Sequence, residues 1–143
     1  MTTLFLIARL AGRTVAISSE QVDSVVDLGA ITPAPRCPPL VLGITALRSH
    51  VVTVIDTPIA LGAASGAHAG KLRAVIVKAE GHAYAMLVDA LEDVAPFTLH
   101  PLANGLPLAP SWRAIARGLI ERDGEPVLAI DLAALLPAHA AAA

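Results

Sequence analysis

The chain has 143 residues and a formal charge of −2, with 55% hydrophobic and 15% charged side chains. That much apolar side chain excludes a disordered chain, which lacks the burial to offset its ordering entropy. The near-neutral charge leaves no electrostatic footprint for nucleic acid or an anionic membrane, and four aromatics (Phe5, Tyr84, Phe97, Trp112) are too few for base stacking.

Leu4–Leu10 reads as a strand, Ala11-Gly12-Arg13 as a tight turn and Thr14–Ile17 as the hairpin partner. The apolar run Leu4–Ala8 has no basic residue ahead of it, so it is not a signal peptide. No run approaches the ~18 apolar residues of a membrane helix, and direct membrane insertion is not expected. A turn at Ser18-Ser19-Glu20 leads to a strand over Val22–Leu28. The loop 33–39, PAPRCPP, holds the single cysteine, Cys37, which cannot form an internal disulfide; this fits a reducing, cytoplasmic setting.

The next stretch, Val41–Leu61, is the most structured reading in the chain. A strand leads to the tip Arg48-Ser49-His50, and a second strand, Val51–Ile55, ends on Asp56. Asp56 or Thr57 can cap a short helix over Pro58–Leu61, which Gly62 stops. The same outline returns at Ala116–Leu136: Gly43 matches Gly118 and Ile55-Asp56 matches Ile130-Asp131, at an offset of 75 (118 − 43). Residues 4–28 likewise return at 73–97 at an offset of 69 (81 − 12), with Gly12 on Gly81 and Val25 on Val94.

The chain is therefore a duplicated unit. The first spans about 1–62 and the second 73–137; residues 63–72 form a small, glycine-rich joint and 138–143 a tail. Ala74–Val77, Ala83–Val88 and Val51–Ile55 are apolar at nearly every position, yet no long helix supplies a parallel crossover. Short strands with Gly-centred turns, apolar on both faces, predict a mainly β fold of two small five-stranded barrels whose outer faces also pack on something. Other short helical pieces are expected over Ser111–Ala116 and Leu132–Leu136.

No active site is legible. The five histidines show no metal-ligand spacing, and no cofactor is implied. Ser49, His50 and Asp56 lack the strained elbow that presents a nucleophilic serine, and Asp56 and Asp131 read as helix caps. Cys37 has no partner base. The two P-x-x-P segments, Pro35 to Pro38 and Pro107 to Pro110, read as rigid connectors rather than polyproline ligands.

The run GITALRS over 43–49, followed by VVTVID over 51–56, resembles the G-[VI]-x-N-L-R-G-x-[VI]-x-P-[VI]-[VI]-D-L motif of the CheW family. With blocks 4–28, 73–97 and 114–136 the resemblance covers nearly the whole chain, as a single domain. It implies two SH3-like five-stranded barrels and a non-enzymatic scaffold adaptor. Such an adaptor couples chemoreceptor cytoplasmic tips to the regulatory domain of a histidine kinase, at membrane-associated arrays. The alternative within the same family is a free-standing kinase regulator that binds no receptor. Carried over by motif, Val22, Leu42, Gly43 and Arg48 would form the partner-binding surface. This chain departs from the motif at Ala46, Ser49, Thr53 and Thr57, and Ser24 stands where an acidic residue is common.

Overall fold

The computed structural model describes residues 2–33, 40–62, 72–79, 81–102 and 107–136. The first proline loop with Cys37, the glycine-rich joint and the C-terminal tail lie outside the described residues.

Among the described residues ten strands form, five in each half: β1 (Thr3–Leu10), β2 (Arg13–Ser18), β3 (Ser24–Leu28), β4 (Val41–Leu47), β5 (His50–Ile55), then β6 (Leu72–Ala79), β7 (His82–Val88), β8 (Ala90–Phe97), β9 (Ala116–Arg122) and β10 (Glu125–Ile130). Among the described residues helix is confined to α1 (Thr57–Ala60), α2 (Pro110–Ile115) and two 3₁₀ turns, Ser19–Gln21 and Leu132–Leu135. The third strand begins at Ser24 rather than Val22, because Val22 N–H closes the preceding 3₁₀ turn on the Ser19 carbonyl. Asp56, not Thr57, caps α1 by accepting from Ile59 N–H, and Asp131 repeats this on Ala133 N–H.

Three hairpins turn in two described residues, and the β6–β7 hairpin turns at Gly81. Ala11-Gly12, Arg48-Ser49 and Asp123-Gly124 have positive φ at both positions, and Gly81 has φ +80°. That is the left-handed pair whose twist matches the flanking strands. His50 therefore belongs to β5, opposite Leu47, and the tip is only Arg48-Ser49.

The strands sort into two five-stranded sheets, β8-β1-β2-β10-β9 and β3-β6-β7-β5-β4. The barrels do not coincide with the duplicated halves. Each takes three strands from one half and a hairpin from the other, joined by parallel pairs: β2 on β10 and β5 on β7. Equivalent residues keep equivalent registers, Phe5↔Ser18 in one barrel and Ala74↔Leu87 in the other, so a pseudo-twofold relates the two.

This arrangement explains strands that are apolar on both faces. Phe5 and Ile7 of β1 point into the first barrel, while Leu6, Ala8 and Leu10 join a core shared between the barrels. In β6, Ala74 and Ile76 fill the second barrel while Val75 and Val77 face the shared core. Gln21 ties the barrels together by a further route: its Nε2 donates to the Ile130 carbonyl at 3.1 Å, and its Oε1 accepts from Leu132 N–H at 2.8 Å.

The repeated glycines have a steric cause. Ile44 and Thr32 exchange two backbone hydrogen bonds beside Gly43, and Leu119 and His100 do so beside Gly118. A Cβ on Gly43 would sit 2.1 Å from the Thr32 carbonyl oxygen, and one on Gly118 would sit 2.4 Å from that of His100. Only glycine lets the returning chain close the barrel there.

Candidate functional site

The parallel pairing of β5 with β7 sets Thr53 beside Tyr84 and so brings the β4–β5 and β6–β7 tips to one end of the second barrel. With the start of β3 they enclose a groove of about 820 Å³. Its lining includes the ionisable side chains Asp23, Arg48, His50, Lys78 and His82; Leu47, Val51, Ile76 and Tyr84 are among its apolar residues. Arg48 is exposed and makes no ion pair with any described residue. Lys78 lies 3.5 Å from Asp23, a solvent-exposed pair that screening makes weak. Val51 is 67% exposed, the highest among the large hydrophobic side chains of the described residues.

Arg48 has φ +50° and Ser49 φ +70°, a backbone conformation that disfavours residues with a Cβ and suits glycine, asparagine or aspartate. At the pseudo-equivalent tip of the first barrel the chain places Asp123-Gly124. That mouth differs in charge at most of its positions. By the repeat, its positions carry Arg9, Arg13 and Arg122 with Glu92, Asp93, Asp123 and Glu125, three cations and four acids. Among the described residues at the same positions of the second mouth are two cations, Arg48 and Lys78, and one acid, Asp23. The first mouth is also internally paired: Arg122 donates to Glu92 at 2.7 Å, and this hydrogen bond raises the guanidinium pKa. Arg13 stacks over Trp112, 4.7 Å from the ring centroid.

The four residues singled out by the motif do not line one groove. Arg48 borders it, Val22 packs against the shared core, Leu42 against the interior of the second barrel, and Gly43 is buried at the closing bridge. Lys78, His82 and Asp23 were not legible as neighbours of Arg48 in one groove. Lys78 and His82 belong to the β6–β7 hairpin and Asp23 precedes β3; the hint for that hairpin was that Gly81 marks a turn equivalent to Gly12. Among the described residues no group of three or more His, Cys, Asp or Glu gathers as a metal site, and no helix is long and apolar enough to cross a membrane.

Comparison with known proteins agrees with this architecture. The chain is 24% identical over 109 residues to the chemotaxis protein CheW of Rhizobium meliloti (strain 1021), covering 76% of this chain and 70% of that protein. Its fold is similar to the crystal structure of the scaffolding protein TtCheW from Thermoanaerobacter tengcongensis, with a TM-score of 0.81 at 24% identity over 96% of this chain and 94% of the other. The expected pair of five-stranded barrels is thus found both in the topology and in a solved relative. The family model described as CheW-like domain matches residues 4–140, and on that span, nearly end to end, the chain belongs to the CheW-like domain family.

Proposed function

We propose that this chain is a non-enzymatic scaffold adaptor that couples chemoreceptors to a histidine kinase by binding both. The observation that carries the reading is the family match over residues 4–140, which takes in both barrels and the tip that bears Arg48. A scaffold needs surfaces and no reacting groups, and two related but differently charged barrels supply two distinguishable docking ends. Arg48 is the partner-binding residue at the second barrel's mouth. Val22 and Leu42 support the surface from beneath, and Gly43 holds the β4 backbone in place. The adaptor acts in the cytoplasm, at receptor arrays, with no bound cofactor.

Co-purification tests this directly. Tagged protein expressed with its receptor and kinase should retain both, and stimulate or restrain the kinase only when the receptor is present. Retention of the kinase alone would replace the reading with a free-standing kinase regulator. Retention of neither would end both.

A further inference from the structure

Among its described lining residues the mouth of the second barrel carries two cations, Arg48 and Lys78, against one acid, Asp23, on a chain whose formal charge is −2. We infer that this groove takes an acidic segment of a partner protein, gripped by Arg48 and Lys78 with His50 and His82 as further donors. The inference deepens the adaptor reading and rests on it for the partner's being a protein.

Three observations converge. The fold does not require these charges, because the pseudo-equivalent tip closes as Asp123-Gly124 on the same register. Arg48 occupies a left-handed turn position to which its type is poorly suited, and no described residue pairs with it, so nothing local accounts for a cation there. Four nitrogen-bearing side chains from two hairpins converge on one groove, giving a carboxylate several charge-assisted donors at once. At about 820 Å³ the groove admits a few side chains of a segment, not a folded domain.

Exposed Val51 and half-buried Leu47 give such a segment an apolar seat beside its charges. That mixture fits a protein segment better than a nucleic acid, whose bases need aromatic platforms. Tyr84 is the one aromatic in the lining, and it is 7% exposed.

A fluorescein-labelled glutamate-rich peptide containing leucines tests the assignment by anisotropy, beside a lysine-rich peptide and a single-stranded RNA of matched charge. The wild-type chain should bind the acidic peptide and not the lysine-rich one. Arg48→Asp with Lys78→Glu should weaken it about tenfold or more, whereas Arg9→Glu at the first mouth should leave it unchanged. Equal loss from Arg9→Glu, no binding of the acidic peptide, or equal binding of the RNA would each overturn the inference. So would a concentration-dependent mass in light scattering that Arg48→Asp abolishes, since the occupant would then be a second copy. The adaptor reading is judged separately in the same preparations. If wild type and the double variant capture receptor and kinase equally, the groove inference fails and the adaptor stands; if wild type captures neither, the adaptor fails.

Discussion

Ile17 and Ile130 lie directly opposite each other on neighbouring parallel strands, although 113 residues (130 − 17) separate them in the chain. The pseudo-twofold repeats the contact as Met86 beside Ile55. All four side chains enter the core shared between the barrels. Since Ile55 and Ile130 are 0% and 2% exposed, Ile→Ala at either site should cost about 2–5 kcal/mol through lost burial and a residual cavity. Both variants should also unfold in one transition, because each barrel is completed by strands from the other half of the chain. A urea midpoint that does not move, or two separated transitions, would contradict the shared core.

Gly43→Ala and Gly118→Ala should each destabilise by about 1–3 kcal/mol or more, since the new Cβ meets backbone that must shift. Gly29 is the control: nothing lies within 4 Å of its added Cβ, and Gly29→Ala should be close to neutral. Equal midpoints for all three variants would show that the closing bridges give way freely.

The Thr57 hydroxyl is buried with no hydrogen-bond partner among the described residues. Thr57→Val keeps the shape and removes the desolvated hydroxyl, so it should raise stability by about 1 kcal/mol. A loss of that size would show instead that the hydroxyl is hydrogen-bonded in solution.

At the tip of the groove, stability and function should separate. Ser49→Gly relieves a left-handed residue and should stabilise by about 1 kcal/mol. Arg48→Asp puts a residue tolerant of that backbone on the same turn, so the melting temperature should scarcely change, while assembly with receptor and kinase weakens. An Arg48→Asp protein that matches wild type in both pull-down and kinase coupling would remove Arg48 from the binding surface.

Much of this molecule is local physics and was readable from the chain. Two-residue turns needed left-handed backbone, so Gly12, Gly81 and Gly124 marked three hairpins. Aspartates before short apolar helices marked caps at Asp56 and Asp131. Two constant offsets exposed the duplication, and strands apolar on both faces required a second packing surface. Which strands would meet was another matter. The two halves carry nearly interchangeable strands, so β2 could have paired within its own half as well as with β10, and no periodicity tells these apart. Only the tertiary structure decided for exchange between halves, because the shared core forms when each hairpin crosses to the other barrel. The groove followed from that decision. Arg48 and His50 lie in one half of the sequence and Lys78 and His82 in the other; they share a mouth because Thr53 of β5 is registered beside Tyr84 of β7.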